Sequence, residues 1–192
     1  MLNHIGTDTI ATERLMLRRF KADDAENMFN NWAKDPENVK YLQWQAHHDI
    51  GETNKILSQW IRNYKNKNYY QWCITLKGSD EAIGSIGIVE LFESKECGTV
   101  GYVLSKKYWN KGIMTEALQE VLNYLFKKVG FHRVQSMHDI DNPASGKVML
   151  KNGMKYEGTL RKYDKTNASG WCDTPIYSIL KEEFLKREDS LC

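Results

Sequence analysis

Gly112 lies in the segment YWNKGIMTEAL (108–118), directly ahead of a run whose apolar residues recur at helical spacing. The first N–H groups of a helix have no partner within it and carry about half a positive charge. Such a junction can hold an anion without any lysine. Glycine has no Cβ to keep a phosphate away from the backbone. Thr115 and Glu116 can satisfy other first-turn groups. The same residues would also make an ordinary strand-to-helix turn, so the turn alone implies anion binding and nothing narrower. Neither GxxxxGK[ST] nor GxGxxG occurs in the chain, which sets aside P-loop nucleotidases and Rossmann dehydrogenases.

Thirty residues after Gly112 comes Asn142, in DNPASGKVMLKNGM (141–154). Its side-chain amide both donates and accepts, so it can bridge the amide groups of an extended ligand. Asp141 or Asn142 ahead of Pro143 is equally a good helix N-cap with proline at N1. Ser145 falls one turn into that helix.

These segments need elements to position them. Alternation in Glu13–Phe20 predicts a half-buried strand. Ala25, Met28, Phe29 and Trp32 predict a helix that Pro36 ends or interrupts. A second helix is predicted over Glu52–Tyr64, then strands over Tyr70–Leu76, Ala82–Leu91 and Thr99–Leu104. The stripe Ala117, Leu118, Val121, Leu122, Leu125, Phe126 predicts a helix over Met114–Lys128, with Gly130 as its C-cap. A strand over Arg133–Met137, a short helix over Ala144–Lys151, and strands over Lys155–Leu160 and Ile176–Leu180 complete the chain. The order is mixed α+β, with one parallel strand pair made by the crossover of residues 99–138.

Composition narrows the function. At 192 residues the chain fits a single domain, 1–192, with a core over about 12–181. A net charge of +2, with no dense Lys/Arg run, argues against nucleic acid as a partner. The four cysteines, Cys73, Cys97, Cys172 and Cys192, form no CxxC pair, so no metal site is expected. With neither a secretory leader nor a long apolar run, the expectation is a cytoplasmic protein with free thiols and no membrane contact.

The segments TERLMLRRF, DPENVKYLQW, GYVLSKKYWNKGIMTEAL and DNPASGKVMLKNGM together resemble the GCN5-related N-acetyltransferase (GNAT) superfamily. Within it they are most similar to the branch of ribosomal-protein N-terminal acetyltransferases. The resemblance covers most of 12–181, in order. It implies the GNAT fold, a central twisted, mostly antiparallel sheet flanked by helices, with a splayed parallel strand pair that binds CoA. It implies acetyl-CoA as the acyl donor. The family's pyrophosphate turn falls on Trp109, Asn110, Lys111, Gly112, Ile113 and Met114, continuing into Thr115. Trp109 and Met114 depart from the general [Q/R]xxGx[A/G] pattern. The pantetheine strand falls on Tyr102, Val103 and Leu104, and the NxxS element on Asn142 and Ser145.

Acetyl-CoA arrives activated, so the protein must supply positioning, a proton acceptor for the amine and a donor for the departing thiolate. Where many family members carry an acidic tyrosine, seven residues after the asparagine, this chain has Met149. Ser145 is then the expected donor by resemblance to the ribosomal branch, and Asp164 the expected base. Thr99 replaces a common family carboxylate, and Glu90 and His138 remain alternatives for the base. By family analogy the region Trp32–Trp60, including Tyr41, Trp44, His47 and His48, covers the acceptor cleft, and Trp171 closes it. Three readings stay open: a protein N-terminal acetyltransferase, a small-molecule N-acetyltransferase for an amino acid, polyamine or aminoglycoside, and a non-catalytic acyl-CoA sensor. A homodimer is also left open.

Overall fold

The computed structural model describes residues 1–189, so Cys192 lies outside the described residues. Eight strands form one sheet: β1 (Ile10–Ala11), β2 (Leu15–Arg18), β3 (Gln71–Leu76), β4 (Gly84–Phe92), β5 (Cys97–Leu104), β6 (Arg133–Met137), β7 (Lys155–Thr166) and β8 (Gly170–Leu180). Their spatial order is β1-β2-β3-β4-β5-β6-β8-β7. Every neighbouring pair is antiparallel except β5–β6, where Cys97, Gly98 and Thr99 face Arg133, Val134 and Gln135 in parallel.

The helices are α1 (Ala25–Met28), α2 (Pro36–Val39), α3 (Ile50–Asn63), α4 (Ile113–Tyr124), α5 (Pro143–Lys151) and α6 (Lys181–Asp189). Among the described residues no helix is long and apolar enough to cross a membrane. The predicted stripe is the buried face of α4: Ala117, Leu118, Val121 and Leu122 are fully buried in the larger core. The far end of that helix widens into a π-turn, Leu125–Val129, before Gly130 closes it at φ +92°. A second core, with Phe20, Met28, Trp32 and Leu57, lies under α1 and α3. Strand alternation in β5 divides the two, because Val100, Tyr102 and Leu104 join the larger core and Val103 the smaller.

Several boundaries differ from the sequence expectation. The first helix is only four residues long and passes into a π-turn, Phe29–Ala33. Pro36 does not simply end it. It starts α2 at the first helical position, where a missing N–H costs nothing, with Asp35 accepting the Glu37 N–H at 3.0 Å. Likewise α3 begins at Ile50 because Asp49 caps it, accepting from the Gly51 and Glu52 N–H groups. The two final strands are twice as long as their patterns suggest and form one hairpin. Bulges at 156–158 and 160–164 interrupt the alternation that periodicity relies on.

One ionic contact anchors the smaller core. Arg18 donates through both terminal nitrogens to Asp24, at 2.7 and 2.8 Å, and Asp24 is 1% exposed. Asp24→Ala strands a largely buried guanidinium, with Asp80 as its remaining carboxylate. The expected loss is about 3 kcal/mol, read as a lower urea midpoint at unchanged m-value.

Candidate active site

The opening between β5 and β6 defines the site. Their ladder stops at Thr99 opposite Gln135, and Ser136 makes the last bridge, donating from its hydroxyl to Val100 O at 2.9 Å. Beyond it β5 follows β4, while β6 follows β8 to Met137. The Ser105 N–H donates to Ile83 O at 2.8 Å, and hydrogen-bonded pairs alternate along an antiparallel ladder. Val103, opposite Ser85, therefore bonds to β4, while Tyr102 and Leu104 turn their N–H groups toward the opening. The Leu104 carbonyl already accepts from Asn38 Nδ2 (2.6 Å) and Trp109 Nε1 (2.7 Å).

The turn after β5 presents backbone. Gly112 is the N-cap residue of α4 in the left-handed region (φ +76°), Asn110 is also left-handed (φ +59°), and no side chain caps the helix. The first helical bond runs from Glu116 N–H to Gly112 O, so the N–H groups of Ile113, Met114 and Thr115 point out of the helix end. Ile113 and Met114 send their side chains into the core and can offer a ligand only backbone. Trp109 ties the turn to the strand end, and Lys111 lies over the Tyr108 ring. Thr115 is held by its carbonyl, which accepts from Asn152 Nδ2.

Glu116 does not satisfy first-turn groups. It accepts from the Thr12 hydroxyl, the Arg14 N–H (2.8 Å) and Arg14 Nε (2.6 Å). Burial disfavours its charge, but these donors outweigh that and hold its carboxyl below the usual glutamate range. The pairing brings Arg14, 98 residues upstream, to the turn, where it also donates to Lys111 O. Arg14, Lys151 and Arg187 border an open cleft of about 350 Å³ beside Gly112. Arg187 donates from Nη2 to Lys151 O at 2.7 Å, and its buried Nη1 has no partner. Outward N–H groups, a left-handed glycine and three cations suit the phosphates of a CoA thioester, and the opening beside Tyr102 and Leu104 suits its amide-bearing arm.

Across the opening, Asn142 is the N-cap residue of α5 but makes no side-chain cap hydrogen bond; its carbonyl accepts the Ser145 N–H at 3.1 Å. Its amide is thus not used up by capping. The Ser145 hydroxyl lies 2.9 Å from the Tyr102 hydroxyl, which is also 3.0 Å from Ser145 O. Met149 is fully buried in the core.

Asp164 stands at the bulge of β7, half-buried, accepting from Gln43 Nε2 at 2.8 Å. Burial raises its pKa above the usual aspartate value, and nearby Asp139 adds to that against donors from Gln43 and Thr174. Of the alternatives, Glu90 is exposed and pairs with Thr99 at the end of β5 still joined to β6. That is five residues, about 16 Å of strand, from Leu104. His138 donates from Nδ1 to Asp139 O (2.7 Å), and its Nε2 is buried without a partner against Gly146.

The acceptor side is stitched together over long sequence distances. Asn167 donates from its N–H to Leu42 O and from Nδ2 to Val39 O and Trp44 O, and Ala168 N–H donates to Lys40 O. Trp32 is fully buried and Trp60 packs on Phe20, so both are core anchors. Trp44 packs on His47, which bonds Thr53, while His48 and Trp171 are exposed. Sequence reasoning missed Arg14, Gln43, Asn38 and Asn167, whose partners lie 66 to 128 residues away.

The family description "Acetyltransferase (GNAT) domain" matches residues 14–155. Over 172 residues the chain is 30% identical to the uncharacterized N-acetyltransferase YoaA of Bacillus subtilis (strain 168), spanning 90% of this chain and 96% of that protein. It is similar in structure to an acetyltransferase (GNAT family) from Bacillus anthracis, with a TM-score of 0.79 and 29% identity over 91% of this chain and 99% of that one. It also shares its fold with RimL, a ribosomal-protein alpha-N acetyltransferase in complex with coenzyme A. There the TM-score is 0.81 at 19% identity, over 90% of this chain and 98% of that one.

Proposed function

The chain belongs to the GNAT acetyltransferase family and is an acetyl-CoA-dependent N-acetyltransferase, and from that premise we propose that its acceptor is the α-amine of a protein chain, with Ser145 and Asp164 handling the protons. The cations around Trp171, on the rim beyond Asp164 and its neighbour Asp139, carry this reading. Trp171 is flanked by Lys162, which donates to its carbonyl at 3.2 Å, and by Lys165, its partner across the hairpin. Lys40, whose carbonyl accepts the Ala168 N–H, is exposed on the same stitched rim. A polyamine or aminoglycoside would meet like charge there, whereas a chain end followed by neutral or acidic residues would not. The RimL neighbour, an alpha-N acetyltransferase of a ribosomal protein, agrees with that class.

In this reading one backbone N–H of the Tyr102–Leu104 strand faces the thioester carbonyl oxygen as it gains charge, and the other, about 6.6 Å along the strand, is left to the pantetheine arm. Asn142 orients the pantetheine amides. Asp164, whose raised pKa brings it nearer to neutral pH, takes the proton from the attacking amine. Ser145 gives a proton to the leaving sulfur.

The test is an acetyl-CoA consumption screen. Peptides with a free N-terminus are set against the same peptides blocked at that end, polyamines and aminoglycosides. The expected outcome is CoA release that requires the free peptide end. Turnover of the polycations alone would overturn the acceptor assignment. No release with any amine, despite calorimetric acetyl-CoA binding, would favour the sensor.

A further inference from the structure

Tyr102 carries more than a backbone for the acyl donor. Its side chain leaves β5 and ends between the two oxygens of Ser145 in α5, 2.9 Å from Oγ and 3.0 Å from the carbonyl. We propose that the Tyr102 hydroxyl is the positioning group of Ser145, fixing its rotamer and stabilising the serine oxygen as it gives up its proton to the thiolate. The proposal rests on the reading of Ser145 as proton donor.

A half-buried serine hydroxyl has three staggered rotamers and rotates freely about its C–O bond. Left alone it would spend much of its time pointing away from the sulfur. Tyr102 has only two side-chain torsions, and its ring is fixed in the larger core beside Val100 and Leu104. One phenolic hydrogen faces two acceptors. At rest it bonds the Ser145 carbonyl, and its own oxygen accepts from Ser145 Oγ–H. When the serine proton turns to sulfur, the phenolic hydrogen swings to Oγ, where negative charge appears. Burial raises the Tyr102 pKa and keeps the phenol protonated throughout. Met149 occupies the position from which many of the resembled proteins supply a phenol, and here it is fully buried. A phenol from β5 therefore stands beside the leaving-group site while the proton itself comes from serine.

The proton count closes. The amine nitrogen bonds to the carbonyl carbon and the carbon–sulfur bond breaks. Asp164 takes the amine proton, sulfur takes the Ser145 proton, and Tyr102 keeps its own. On product release Asp164 returns its proton to solvent and Ser145 recovers one from it.

Three variants test this: Tyr102→Phe, Ser145→Ala and the double mutant. CoA release is followed from acetyl-CoA with a free peptide end as acceptor and, in parallel, with water alone. Tyr102→Phe is expected to lower kcat roughly tenfold to hundredfold, the rate equivalent of one hydrogen bond to a charging group, with the acetyl-CoA KM unchanged. In the Ser145→Ala background the same change is expected to cost nothing further, since a group acting through serine has nothing left to act on. A second readout is independent of turnover. A fluorotyrosine placed at position 102 should show a fluorine resonance and titration midpoint that move in Ser145→Ala and on CoA saturation. Wild-type rates in Ser145→Ala would remove the serine reading itself. An impaired Ser145→Ala together with a wild-type Tyr102→Phe, an additive double mutant, or a fluorine signal blind to Ser145 would overturn the Tyr102 proposal alone. The fluorine measurement stands even where Tyr102→Phe does not fold.

Discussion

Asp164→Asn is expected to lower kcat on the order of a hundredfold to ten-thousandfold, the range for removing a general base, while CoA binding measured by calorimetry is unchanged. Asparagine keeps the shape and the contact with Gln43 but cannot accept a proton. The pH profile makes the test specific. Burial lifts the Asp164 pKa above the ordinary aspartate value, so the acid limb of kcat/KM should fall above the usual carboxylate range. A base works only when unprotonated, so activity rises with pH through that limb and is lost as pH falls. In Asp164→Asn the limb should vanish. In Gln43→Ala, which removes a donor to the charged form at 2.8 Å, the limb should move further up. An acid limb that survives unchanged in Asp164→Asn would assign the base elsewhere, with His138 next in line.

Gly112→Val is expected to weaken CoA binding at least tenfold, about 1.4 kcal/mol. Gly112 sits at φ +76°, where a side chain is strained and a β-branched one most of all. Any Cβ there would also lie 3.4 Å from Arg14 Nη2, on the side from which phosphate oxygens would approach. Conformational strain and lost binding are separable through Gly130, which has φ +92° and open space around it. Gly130→Val should lower the urea midpoint by a comparable backbone penalty and leave CoA affinity alone. Equal losses of affinity in the two variants would mean that Gly112 matters only for folding. Arg14→Ala, which also frees Glu116, should weaken CoA binding in the same direction but less.

The helix stripe of α4 was legible because its positions follow one period and bury one face, and the structure buries all four of its leading residues completely. Strand β5, the Gly112 turn and the Asn142–Ser145 element were legible for a related reason: each is local, set by residues within one or two turns of each other. The fold followed from their order, since a strand–helix–strand crossover places β6 parallel to β5. The β7–β8 hairpin was only half legible. Its outer strand is an exposed edge with two bulges and a left-handed Lys162, so no steady alternation marks its length. The π-turns left no local signal either.

By itself, then, the sequence determined the family resemblance, the acyl donor and the backbone turn proposed to meet its phosphates, because those depend on short-range spacing and on glycine at one strained position. Only the tertiary structure decided which groups surround the proposed site residues. Arg14 reaches the turn through Glu116, 102 residues on; Gln43 meets Asp164 across 121; and the Tyr102 phenol meets Ser145 across 43. Such pairs join elements that become neighbours only when the sheet forms and two strands part. No periodicity in the chain encodes a contact whose distance is set by packing.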